Sequence, residues 1–219
     1  MGNFVNKIFK REFFKKDISL AVCFALMLTV FLNLAGFDTG CESLRNNVLR
    51  LHILANSDSE EDQKLKLEVR DAILLESNGV LNGAESKIDA INLTSVNLEK
   101  FKEVSENVVK KYGKDYPVNV KIEKTYFNTR EYENFTLPAG EYDALRVLIG
   151  KGEGKNWWCI MFPAMCVPAA GTSTNLKDVT GSSAEKIAMG KSKYKIKFKT
   201  VEVYENLKRK IGNIICKNS

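Results

Sequence analysis

From residue 48 onward the chain alternates between short apolar runs and polar punctuation. Val48, Leu49, Leu51, Ile53 and Leu54 form the first run, interrupted by Arg50 and His52. Period two places Leu49, Leu51, Ile53 and Ala55 on one face, with Val48, Arg50, His52 and Leu54 on the other, so the run predicts a strand. Asn56-Ser57-Asp58-Ser59 ends it, because short polar side chains bond the backbone locally and favour turns and caps. A helix is predicted next. Ser59 and Asp62 have capping-box spacing, and Asp58, Glu60, Glu61 and Asp62 load its positive end with negative charge. Leu65, Val69, Ala72 and Leu75 share one helical face, while Asp62, Lys66 and Arg70 recur every fourth residue on another.

Farther along, Ser77-Asn-Gly79 and Asn82-Gly83 predict a helix stop. Residues 84–91 read as a short helix. Residues 97–112 read as a longer one with the stripe Phe101, Val104, Val108 and Tyr112. Residues 118–127 alternate as a half-buried strand. Pro138-Ala-Gly140 marks a turn before a strand over 143–149. Residues 150–155, Gly-Lys-Gly-Glu-Gly-Lys, read as a hairpin turn leading to the third strand of a meander, 156–162. Residues 171–192 carry little apolar content and predict a mobile loop. Tyr194, Ile196, Phe198, Val201 and Val203 alternate with lysines as a last edge strand, and 205–215 as a closing helix. The order predicts an α+β domain, with a mixed, mostly antiparallel sheet covered by helices.

The N-terminal segment is different in kind. Residues 18–36 hold no charge, close to the length of a bilayer-spanning helix. Lys7, Lys10, Arg11, Lys15 and Lys16 precede the run, and Asp38 and Glu42 follow it, so the charge bias places the N-terminus in the cytosol and the remainder outside. Ala35-Gly36 offers small residues, but Asn33 and Leu34 spoil a clean cleavage site, which favours an uncleaved or slowly cleaved anchor. The expected organisation is a basic cytosolic region (1–17), a signal peptide or transmembrane anchor (18–36), a linker (37–47) and an exported domain (48–219).

Composition adds few constraints. The 219 residues carry a net charge of +6, much of it near the two ends. No nucleic-acid reading module accompanies that charge. Asp38-Thr39-Gly40 copies an aspartic-protease tripeptide but lacks the second carboxylate which that chemistry shares a proton with. The glycine-rich 150–155 segment lacks the spacing, the following Ser or Thr and the helix of a phosphate loop. One histidine and scattered thiols predict no closed metal site, and no cofactor is implied. In an exported domain Cys159 and Cys166 are expected to form a disulfide, leaving Cys41 and Cys216 unassigned. Trp157, Trp158, Met161, Phe162 and Met165 read as core, with partner contact as the alternative.

Three strings together carry a resemblance. His52-Ile-Leu-Ala-Asn-Ser-Asp-Ser with Asp62-Gln63, Lys66 and Arg70-Asp71 is the first. Trp157-Trp158-Cys159-Ile-Met-Phe162-Pro163 with Cys166 is the second, and Lys197-Phe198-Lys199-Thr-Val-Glu202 the third. In this order they resemble the stage II sporulation protein R family. The resemblance implies a signal made in the forespore and exported into the septal intermembrane space, secreted or N-terminally anchored. It would act on a membrane-embedded aspartic protease of the mother cell, which then processes pro-sigma-E. It also implies partner binding through His52, Asn56, Ser57, Asp58, Asp62, Gln63, Lys66, Arg70 and Asp71. The competing reading is a septal amidase or peptidase, with His52 as base, Ser57 as nucleophile and Asp58 or Asp62 as orienting carboxylate.

Overall fold

The computed structural model describes residues 2–132, 135–165, 180–190 and 194–217. Two compact units divide the chain, residues 1–40 and 41–219. Helix α1 is Gly2–Asn47. In the first unit Ile18, Leu20, Val22, Phe24, Leu26, Met27 and Leu32 are exposed. Two polar side chains of this apolar run bond back to the helix itself, Thr29 Oγ1 to the Ala25 carbonyl at 2.7 Å and Asn33 Nδ2 to the Thr29 carbonyl at 2.9 Å. Among the described residues no helix is long and apolar enough to cross a membrane. The side chains of Ser19, Val30, Phe31 and Leu34 lie outside that description.

The second unit is α+β. Its strands are β1 (Leu49–Leu54), β2 (Val118–Phe127), β3 (Arg130–Glu131), β4 (Thr136–Leu137), β5 (Gly140–Ile149) and β6 (Asn156–Phe162). The main sheet has the order β2-β5-β1-β6, and β3 pairs with β4 separately. β1 runs parallel to β5, while the β1–β6 and β2–β5 pairs are antiparallel. The sheet is therefore mixed and mostly antiparallel, as the pattern predicts.

Three helices cover one face: α2 (Glu60–Val80), α3 (Lys87–Val96) and α4 (Leu98–Lys111). Leu49, Leu51 and Ile53 of β1 meet Leu145 and Val147 of β5, with Leu65, Val69 and Ile73 of α2 and Phe101 of α4. Cysteine and tryptophan also split by alternation. Trp157, Cys159 and Met161 join this core, whereas Trp158 packs on the other face with Phe127, Tyr142 and Ala144.

Several expectations are overturned. The 150–155 segment is not a hairpin turn, and β6 is not a meander strand beside β5, because β1 lies between them. β1 is buried on both faces along nearly its whole length, so it gains most in the middle of the sheet. Helix α2 continues through Ser77-Asn-Gly79 and ends only before Asn82-Gly83. The fully reciprocal capping box belongs to Ser86 and Asp89 at α3. The expected loop over 171–192 contains helix α5 (Ser182–Met189), with Ala184, Ile187 and Ala188 buried; residues 171–179 lie outside the described part. The expected edge strand after Tyr194 is the first half of helix α6 (Lys195–Lys217). Phe198 and Val201 turn inward, while Ile196 and Val203 face out. A strand would have put Ile196 and Phe198 on the same side. A spacing of three residues between inward side chains suits a helix.

Leu51 is fully buried at the centre of the sheet. Leu51→Ala is expected to lower unfolding free energy by about 2–5 kcal/mol, measured by urea denaturation. A loss under about 1 kcal/mol would contradict this packing.

Candidate functional site

The strand-to-helix junction is densely bonded, and nearly all of its polar groups are used within the fold. Ser59 caps α2, accepting from the Asp62 amide at 3.2 Å. The reciprocal half of the box is absent because the Asp62 carboxylate is taken elsewhere. Its Oδ2 accepts from Ser57 Oγ at 2.6 Å and from Asn56 Nδ2 at 2.9 Å. Gln63 Nε2 donates to the Ser57 carbonyl, and Lys66 Nζ donates to Gln63 Oε1 and to the Lys155 carbonyl.

The same groups clamp the connection between β5 and β6. The Lys151 amide donates to Asn56 Oδ1 at 3.0 Å, the Gly154 amide to the Ala55 carbonyl at 2.9 Å and the Lys155 amide to Asp58 Oδ1 at 2.7 Å. Glycine is required where the chain comes closest, since a Cβ on Gly154 would collide with the Ser57 carbonyl. Burial alone would raise the Asp62 carboxyl. The donors Ser57, Asn56 and Tyr116 outweigh it and hold the group below the usual carboxylate range. Burial pushes the Lys66 ammonium down, partly opposed by Asp58. Arg70 bonds Asp71 in a bidentate pair and lies over Trp157 at 4.5 Å.

His52 is elsewhere. Alternation sends it to the face of the sheet opposite α2, where Nε2 meets Asn156 Oδ1 at 2.7 Å. Its ring lies 5.8 Å from the rings of both Phe127 and Trp158. The triad His52, Ser57 and Asp58 is therefore not assembled: Ser57 donates to Asp62, and Asp58 accepts from a loop amide. A side chain in a turn and one on the preceding strand face have no reason to aim at each other, and here they do not.

The structure gathers a different set around His52. In the sheet register His52 faces Arg146 on β5 and Trp158 on β6. Arg50 is fully buried on the same face. Its guanidinium lies 4.0 Å from the Phe127 ring centre and 5.0 Å from that of Tyr142, and it donates to the Tyr132 hydroxyl. Arg130 stacks on Trp158 at 3.5 Å. Arg146 pairs with Glu123, which Lys121 also contacts at 2.7 Å. Burial pushes the His52 imidazole below its ordinary value, and the charges of Arg146 and Arg50 add to this against the Asn156 bond and Glu123. Alternation alone places Arg50 beside His52. Arg146 and Trp158 need the register, and Arg130 lies in a short irregular strand with no periodic signal.

The family model described as Stage II sporulation protein R matches residues 45–172, more than half of the chain. The chain belongs to the stage II sporulation protein R family. The protein of that name from Bacillus subtilis (strain 168) is 33% identical over 159 residues, covering 69% of this chain and 71% of its own. No solved structure matches. Membership gives the chain a role in sporulation. All six strands lie inside the family match, and so do both polar clusters, while α5 and α6 lie beyond it. Cys159 is disulfide-bonded; its expected partner Cys166 falls outside the described residues. Among the described residues no His, Cys, Asp and Glu group could hold a metal ion.

Two measurements check this geometry. Asp62→Ala leaves buried donors unmatched and is expected to destabilise by about 1–3 kcal/mol in urea melts. Asp62 has a depressed folded value, so its contribution is present above the unfolded carboxylate value of about 4 and is lost as pH falls through the folded one. The variant should therefore lose less stability than the parent on acidification below about pH 4; an identical acid slope would contradict the network. His52 is the only histidine. Its imidazole resonance should titrate below about 6.5 in the folded chain and return to about 6.5 in urea.

Proposed function

We propose that this chain is an exported sporulation signal which acts on a membrane-embedded aspartic protease in the mother cell and promotes its processing of pro-sigma-E. The observation that carries the reading is membership of the stage II sporulation protein R family across the whole sheet. Export is supported by the charge-free run of residues 18–36 behind a basic N-terminal region, with its large apolar side chains on the outside of the helix. An aqueous domain gains nothing by exposing such a row, whereas a lipid phase or a translocation machinery accepts it.

A separate, amphipathic feature fits operation next to a membrane. On α6 the side chains of Ile196, Val203, Leu207 and Ile211 are exposed and share one stripe, and exposed Lys199, Lys208 and Lys210 flank it. Lysines beside an exposed apolar stripe suit an anionic lipid surface. Confinement in a narrow septal gap raises the effective concentration of both proteins, so weak affinity suffices. To activate the protease, the domain must bind its active state more tightly than its resting one. A binding role is also supported by the junction, where the Ser57 hydroxyl is held by the Asp62 carboxylate while His52 is bonded to Asn156 on the other face of the sheet.

The test is complementation. In a sporulating strain lacking its own stage II sporulation protein R, the intact chain should restore conversion of pro-sigma-E, followed by immunoblot. Removal of residues 18–36 should abolish conversion while the domain remains folded. Conversion that is unchanged by either manipulation would refute the reading.

A further inference from the structure

Among the described residues, the sheet face around His52 holds more positive charge than its carboxylates neutralise. Arg50 has no carboxylate partner among the described residues. One of its terminal nitrogens, Nη1, is buried and bonds nothing, as are Nε of Arg130, Nε of Arg146 and Nδ1 of His52. Among the described residues one carboxylate is in contact, Glu123, and it is shared between Arg146 and Lys121. Leaving a guanidinium in the interior without a counter-charge is strongly unfavourable. Arg50 Nε donates to the Cys159 carbonyl at 3.5 Å and its Nη2 to the Tyr132 hydroxyl, and stacking on Phe127, Tyr142 and Trp158 offsets part of that penalty, but Nη1 of Arg50 and Nε of Arg130 and Arg146 stay unmatched.

These groups do not form a lone cluster on a solvated surface. Arg50 is 0% exposed and His52 6%, while Arg130, Arg146 and Trp158 are half-buried at the rim. The face is thus built from a buried floor and an accessible edge. We propose that it is a recognition site for a carboxylate, supplied by an acidic side chain of the protein on which this chain acts.

The chemistry selects that class. Guanidinium forks match two coplanar oxygens, and the site is walled by the aromatic rings of Phe127, Tyr142 and Trp158. At the rim Arg146 already holds a carboxylate through one contact, Nη1 donating to Glu123 Oε1, while its Nε stays unmatched. His52 bonds Asn156 through Nε2, so Nδ1 carries a lone pair in the neutral ring and becomes a further donor once an anion favours protonation. The partner assignment rests on the signalling reading; the site itself does not.

The experiment has two arms, both on the intact chain. In the first, acetate replaces chloride at constant ionic strength, with phosphate as a control, and thermal unfolding and the His52 resonance are followed. Acetate at about 0.1 M is expected to raise the unfolding midpoint by about 2–4 °C and to move the His52 titration upward, with phosphate giving less. Arg130→Gln, at the rim and without a carboxylate pair among the described residues, should remove both effects while folding normally. Equal responses to acetate and chloride, a larger response to phosphate, or an undiminished response in Arg130→Gln would overturn the site. In the second arm, Arg130→Gln should lower pro-sigma-E conversion at least several-fold, with Arg130→Lys recovering part of it. A normal rate in Arg130→Gln with the acetate response lost would overturn the partner as the source of the carboxylate. If the unmodified chain fails to support conversion, the signalling reading falls while the first arm still decides the site.

Discussion

A strand buried on both faces sets the organisation of this domain. β1 is bordered by β5 on one side and β6 on the other, and its side chains are excluded from water above and below. A six-residue segment of that kind stabilises the fold most from the centre of a sheet. Its placement forces the β5–β6 connection to cross the end of β1 rather than turn back as a hairpin. The crossing brings a run of backbone amides over residues 55–58. These amides find acceptors in Asn56, Asp58 and the Ala55 carbonyl. The polar residues after β1 are thereby tied to a segment almost a hundred positions away.

The two faces of β1 then differ in how their polar groups are satisfied. At the junction with α2, nearly every polar side chain has a partner, and the Asp62 carboxylate sits between a hydroxyl and an amide. A fully matched buried network rigidifies what it joins. On the opposite face, the sheet register sets arginines from β1 and β5 beside His52 and an aromatic floor, where several buried N–H groups find no acceptor among the described residues. Unmatched buried donors are rare in folded proteins and ask for an explanation. The contrast separates a structural lock from a surface with residual binding capacity, though both were part of one polar stretch of sequence.

Much of the scaffold was legible from local pattern. β2 begins and ends where alternation places it, β6 spans the residues expected between the glycine-rich segment and Pro163, and α4 follows its apolar stripe to within a residue at either end. The C-terminal region was misread because Lys-Ile-Lys-Phe-Lys satisfies period two over a few residues. Only the packing of Phe198 and Val201 on one side decides for a helix. In the candidate site, His52 and Asp58 were visible as unusual residues, but their separation was not. Ser57, Asp58 and Asp62 look like nearby reagents in sequence because spacing says nothing about which backbone amide arrives from residue 151 or 155.

The sequence alone determined which residues would turn away from water, where the first helix after β1 would begin, and that a charge-free run precedes the domain. These follow from interactions between residues a few positions apart, which the chain carries wherever it goes. Tertiary structure decided the order of the strands, the partners of Asp62 and the company of His52. Each depends on contacts closed across long loops, and the energy of such contacts exists only once the register of several strands is fixed together.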